Sequence, residues 1–87
     1  MIDWHGFDIG ETRDLTDGEQ TIRVRRDQQD VFEVLRVLEN RWQPVVWVKQ
    51  AGIEWRVSRQ KHVIGITSPD LNSAMLEGIY RSREALK

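Results

Sequence analysis

The side chains that could do chemistry in this chain are few, and their spacing is poor for catalysis. His5 and His62 are the only histidines, and neither stands at a metal-ligand spacing from other ligand types. No cysteine is present, which removes thiolate nucleophiles, disulfides and thiolate zinc sites. Ser58 and His62 flank a predicted turn, with no Gly-x-Ser-x-Gly elbow to present a nucleophile. The six glycines are scattered, so no loop cradles a phosphate. Asp27 and Asp30 suit a helix start, and Glu54 suits a cross-strand pair with Lys49. The expectation is a non-catalytic protein with neither cofactor nor metal.

Arginine and tryptophan offer more. Ten arginines stand against three lysines, and there are four tryptophans. Arginine suits planar, bidentate recognition of carboxylate or phosphate, although a GC-rich genome produces the same bias. In VVWVKQAGIEWRV (45–57), a hairpin turning at Ala51-Gly52 sets Trp47 and Trp55 on opposite faces of a sheet, because side chains alternate along a strand. That register places Val48 opposite Trp55, Lys49 opposite Glu54 and Trp47 opposite Arg56. One side then carries Val46, Val48, Ile53, Trp55 and Val57, with Gln50 its only polar residue. TIRVRR (21–26) alternates strictly, so Arg23 and Arg25 oppose Ile22 and Val24. If the two segments share a sheet, its open face carries Arg23, Arg25, Trp47, Lys49 and Arg56 against the single acid Glu54. Trp55 is the core residue and Trp47 a contact residue. Large aromatics and arginines are common interface anchors. The plainer accounts are that Trp47 covers the Arg56 stem on a solvated face, or that the acidic residues 1–20, with Trp4 and Phe7, cover this face.

The elements that position these residues follow from periodicity. DQQDVFEVLRVLENRW (27–42) repeats at helical spacing through Val31, Val34, Leu35, Leu38 and Trp42. Asp27 is its N-cap, Asp30 lies in its first turn and Pro44 follows its end, so a helix is predicted. SRQK (58–61) predicts a turn, and HVIGIT (62–67) a strand with Ile64 and Ile66 on one face. A second helix starts with Ser68 as cap and Pro69 in its first position. It buries Leu71, Met75, Ile79 and Leu86, pairs Glu77 with Arg81 on its outer side, and sets Gly78 in close contact with the sheet. The order is β-α-β-β-β-α. The predicted fold is α+β: a two-layer sandwich of about four mainly antiparallel strands with two helices on one face.

Residues 1–20 carry six acids against Arg13 alone, while the remaining residues carry 12 bases and 8 acids. An acidic, partly ordered N-terminal arm (1–20) before a single domain (21–87) is expected. Trp4, Phe7 and Ile9 can pack on that domain. A hairpin turning at Asp17-Gly18 is disfavoured, because it sets Arg13 opposite Ile22 and Glu11 opposite Val24.

With 39% hydrophobic and 31% charged residues the chain can fold without a partner. Its longest apolar run, VVWV, is too short for a membrane span, and MIDWHGFDIGE has no signal-peptide core. A cytoplasmic protein is expected. The open face is read as a binding surface for a larger protein, so the expected function is a small regulatory or inhibitory accessory protein. Such chains are common among phages and mobile elements. The alternative is a nucleic-acid-binding module using the same face. Helix, three strands, helix is also the order of double-stranded RNA-binding domains, but SPDLNSAML lacks a lysine cluster and the net charge is −1. A homodimer through an edge strand or the Trp47 face is a further expectation.

Overall fold

The computed structural model describes residues 2–59 and 62–86, residues 62–65 by their backbone alone. Six antiparallel strands pair in chain order: β1 (Thr12–Asp17), β2 (Gln20–Gln28), β3 (Val31–Leu38), β4 (Arg41–Ala51), β5 (Glu54–Arg59) and β6 (His62–Ser68). α1 (Leu71–Ser82) follows and tightens into a 3₁₀ turn at Arg83–Leu86. The fold is therefore mostly sheet, with six strands rather than about four and one α-helix rather than two.

The missing helix is the segment 27–42, which instead spans the end of β2, all of β3 and the start of β4. β3 buries Phe32, Val34 and Arg36 at alternate positions, the period of a strand. Arg36 sits where an apolar residue is expected. It hides the alternation, and the apolar positions that remain imitate helical spacing. Val31, Val34 and Val37 favour the strand, since β-branched side chains pack well on a pleated surface. Glu39 and Asn40 then reverse the chain with φ of 53° and 65°, the left-handed pair that a type I′ hairpin requires. Pro44 does not end a helix. It lies within β4 opposite Leu35, at a register shift where a missing N–H is tolerated.

Two turns fall one residue later than the sequence suggests. β4 and β5 turn at Gly52-Ile53, so Ala51 pairs with Glu54, Lys49 with Arg56 and Trp47 with Ser58. The expected pairs Lys49 with Glu54 and Trp47 with Arg56 do not form, and Ile53 leaves the core for the turn, 90% exposed. β1 and β2 turn at Gly18-Glu19, matching Leu15 with Ile22 and Arg13 with Val24. In both turns glycine takes the first central position, with φ of 64° and 66°. Residues 12–17 of the acidic segment are thus an edge strand of the sheet.

One face of the sheet is covered by α1, which lies over β3 to β6, and by the N-terminal segment. A Cβ on Gly78 would come 3.0 Å from Val48 Cγ2 and 3.3 Å from Val46 Cγ1, so α1 and the sheet meet at the close contact expected of this glycine. Trp4 and Phe7 are buried, their rings stacked at 5.6 Å, and Phe7 meets Phe32 edge-on at 6.0 Å. Arg26 fastens this segment down. Its guanidinium donates to the Phe7 carbonyl at 2.8 Å and the Gln29 carbonyl at 2.6 Å. Trp55 is buried against Phe32 on the same side.

Arg36 is also on this side, 2% exposed and fully engaged. It donates to Ser82 Oγ at 2.9 Å, Gln20 Oε1 at 2.9 Å and Asp17 Oδ2 at 2.5 Å. Arg83 completes the cluster, donating to the two Asp17 oxygens at 2.6 and 3.1 Å. A buried charge is tolerated only when it is paired and hydrogen-bonded in this way.

α1 is capped by Asp70 rather than Ser68. The Asp70 carboxylate accepts from the Ser73 backbone N–H at 2.7 Å. Leu71 and Met75 are buried and Ile79 partly so, whereas Leu86 is 43% exposed. The Glu77–Arg81 pair forms at 2.9 Å. β6 occupies the strand expected there; the Gln60-Lys61 turn and the facing of the Ile64 side chain lie outside the described residues. No helix among the described residues is long and apolar enough to cross a membrane.

Candidate functional site

Residues paired across an antiparallel sheet share a face. The pairs Val24 with Val34 and Val34 with Val46 lie on the buried side, so the pairs between them lie on the open one. Those pairs are Arg23 with Leu35, Arg25 with Glu33, Glu33 with Trp47, Trp47 with Ser58, and Lys49 with Arg56. All five residues proposed from sequence, Arg23, Arg25, Trp47, Lys49 and Arg56, therefore share the face turned away from α1. Trp47 and Trp55 are on opposite faces. The N-terminal segment covers the other side of the sheet and does not mask Trp47.

The five do not form one basic patch. Glu54 is not the single acid of this face, because β1 adds Asp14 and β3 adds Glu33. Arg23 grips Asp14 with Nε at 2.7 Å and Nη2 at 3.2 Å, and its guanidinium lies 4.2 Å from the centre of the Trp42 ring. These hydrogen bonds hold Asp14 below the usual carboxylate range and raise Arg23 above its ordinary value. Arg25 donates through Nε to Glu33 Oε1 at 2.9 Å and reaches Asp27 at 3.1 Å.

Glu33 organises the centre of the face. It is only 7% exposed, although it points away from the core layer. Arg25 takes one of its oxygens, and the Trp47 indole N–H donates to the other at 3.2 Å. Arg25, Glu33 and Trp47 thus make a polar row across three strands. The carboxylate is compensated, and the half-buried indole is held in one orientation.

Lys49 and Arg56 differ from the other two cations. They are exposed, stand directly opposite each other, and have no ion-pair partner among the described residues. Like charges in this relation destabilise a sheet. Lys49 is also two positions along β4 from Trp47 and so beside it on the same face.

Sequence reading missed Glu33, Asp14 and Trp42. Placing 27–42 in a helix moved Glu33 and Trp42 out of the sheet, and treating 1–20 as an arm did the same for Asp14. A turn at Gln29-Asp30 is the signal that would have brought Arg25 against Glu33. No group of three histidine, aspartate or glutamate side chains converges as metal ligands among the described residues. His5 is on the other side of the sheet, edge-on to Trp55 at 6.5 Å. What the open face offers is aromatic surface, fixed hydrogen-bonding geometry and two cations without an ion-pair partner among the described residues. No family model, curated protein or solved structure matches this chain.

Proposed function

We propose that the chain is a non-catalytic protein-binding module whose open sheet face docks on an acidic or mixed-charge surface of a larger protein. It would act there as a small regulatory or inhibitory accessory protein. The observation that carries this reading is the Lys49–Arg56 pair, two like charges placed side by side next to the oriented Trp47 ring. The free protein bears the repulsion, and a partner carboxylate over the pair relieves it. Trp47 and Trp42 supply rigid aromatic area at low entropic cost, as interface anchors do.

The nucleic-acid reading is supported less well. Phosphate binding needs several free cations along a backbone, and Arg23 and Arg25 are engaged by Asp14, Glu33 and Asp27. The test is affinity capture with the intact chain, repeated with Trp47→Ala and with Arg56→Glu. A partner bound by the native face and lost with both variants supports the proposal. A partner retained by both overturns it. Salt-sensitive binding of duplex DNA or RNA in fluorescence anisotropy, lost with Arg56→Glu, would put the nucleic-acid reading in its place.

A further inference from the structure

The ladder between β2 and β3 stops before either strand ends. Its last pair is Arg23 with Leu35, yet β2 begins at Gln20 and β3 runs to Leu38. Residues 20–22 stay with β1 and residues 36–38 stay with β4, so the two hairpins part toward their turns. β4 carries one extra residue, Val45, against the Val34–Leu35 step, and a bulge of this kind bends the pair away from β2. The opening holds about 280 Å³, and Gln20, Thr21, Arg36, Val37, Trp42 and Leu86 line it.

Main-chain groups form its two walls. Asp17 and Gln20 flank a two-residue turn and exchange hydrogen bonds, and bonded pairs then recur at every second residue. Gln20 and Ile22 are thus committed to β1, and Thr21 turns its N–H and C=O the other way, into the opening. The same alternation from the Glu39-Asn40 turn commits Leu38 and Arg36 to β4 and turns Val37 into the opening. Two donors and two acceptors face each other there with no ladder between them. Main-chain groups left in this state on a strand are a template for another strand.

The charges around the opening balance in number and are separated in place. On the buried side the Arg36 side chain crosses beneath it, from β3 to Gln20 on β2 and Asp17 on β1. Arg36 shares Asp17 with Arg83, so on this floor two cations have one carboxylate. Gln20 Oε1, a neutral acceptor on an exposed residue, holds Arg36 Nη1 at 2.9 Å. On the open face Arg23 is matched by Asp14. At the mouth, Glu19 and Glu39 stand in the two turns with Arg41 beside them. The floor is basic and the mouth is acidic, each by one charge.

We propose that the opening receives the carboxyl-terminal end of an extended peptide, which becomes a short strand between β2 and β3. Entering carboxylate first, the peptide runs parallel to β2 and antiparallel to β3. Two to three residues, about 7–10 Å, fill the length from the mouth to the Arg23–Leu35 rung. Its main chain pairs with Thr21 and Val37. Its carboxylate takes the place of Gln20 Oε1 on Arg36, exchanging a neutral acceptor for a charged one. A peptide residue level with Thr21 and Val37 turns its side chain to the open face beside Val37 and Trp42, which selects an apolar one, and the acidic mouth favours a basic residue before it. Val37 is 49% exposed in the free chain, as befits a side chain that lacks a neighbour strand. Neither Trp47 nor the Lys49–Arg56 pair takes part, so the inference stands apart from the proposed docking of the open face.

The probe is an acetylated four-residue peptide, two lysines followed by threonine and valine, titrated into the isotope-labelled native chain and followed by NMR. The amide signals of Thr21 and Val37 and the indole signal of Trp42 are expected to move. The same peptide as its carboxamide should bind roughly tenfold more weakly. Thr21→Pro deletes an N–H that β1 does not use, so it should fold and bind the peptide about fivefold more weakly. Amide exchange is the second readout and needs no variant. In the free chain Thr21 and Val37 should exchange faster than Arg23 and Leu35, the next rung inward, and should slow when the peptide is bound. Equal protection of the two rungs in the free chain would show the opening closed and overturn the proposal. Equal affinities of acid and carboxamide would also overturn it, as would unmoved Thr21 and Val37 signals at millimolar peptide.

Discussion

Arg36 and Asp17 meet at 2.5 Å although they belong to β3 and β1, two strands separated by β2. The guanidinium reaches along the buried side of the sheet, beneath the end of α1, where Ser82 and Gln20 take its other donors. Three strands and the helix are therefore tied together by one side chain. Arg36→Ala removes that tie and leaves polar partners buried without it. The expected loss is about 3–5 kcal/mol, the cost of breaking one side of a buried pair. For a chain of this size it lowers the melting temperature by on the order of 15 °C or more. Urea and thermal unfolding measure it, and adding Asp17→Asn to Arg36→Ala should cost less than Asp17→Asn alone, because only the Arg83 pair is then left to lose.

Acid should weaken the same cluster. Hydrogen bonds from Arg83 and from Arg36 outweigh the burial of Asp17 and lower its pKa from 3.8 to about 2. A folded-state pKa below the unfolded one means that the unfolded chain binds more protons between those values, so stability there rises with pH. The contribution is complete above the ordinary carboxylate value, roughly 2 kcal/mol for a shift of this size. It is lost progressively as the pH falls toward 2. Unfolding free energies measured through that window should show the loss in the native chain and a flatter profile in Asp17→Asn.

The turn at Glu39-Asn40 separates the strand from the helix that the sequence imitates. Both residues have positive φ, a conformation that costs glutamate more than asparagine and asparagine more than glycine. Replacing the pair by Asn-Gly is expected to stabilise the protein by about 1 kcal/mol. In a helix the same change would destabilise by about 1 kcal/mol. The sign of the shift in the denaturation midpoint decides.

Arg56→Glu should move folding and binding in opposite directions. It replaces a like-charged cross-strand pair with an opposite-charged one opposite Lys49, a gain of about 0.2–1 kcal/mol in stability. An acidic partner loses a cation and gains a repulsion, so its affinity falls. Thermal unfolding and a binding titration on the same variant test both. A variant that is less stable would show that Arg56 has an intramolecular role.

Local chemistry was enough to determine several features of this protein. Alternation in 21–26 and 45–57 made strands and placed Arg23, Arg25, Trp47, Lys49 and Arg56 together on one face. That placement survived the displaced turn because moving a hairpin by one loop residue shifts the pairing by two positions, which preserves which side chains share a face. The partners changed, so Lys49 lost Glu54 and gained Arg56. The C-terminal helix and the close approach of Gly78 also follow from local periodicity, although the cap moved to Asp70.

The tertiary structure decided the rest, because the deciding partners are distant in sequence. Position 36 can hold arginine inside only when Asp17, Gln20 and Ser82 arrive from three other elements, and no period within 27–42 announces them. Once Arg36 is satisfied, β3 becomes a strand. Glu33 then stands beside Arg25 and Trp47, Trp42 comes under Arg23, and the edge strand from the acidic segment brings Asp14. A basic face in the sequence thereby becomes a largely compensated face on which, among the described residues, Lys49 and Arg56 have no ion-pair partner. Charge balance on a sheet depends on which strands lie side by side, and that is a property of the assembled fold.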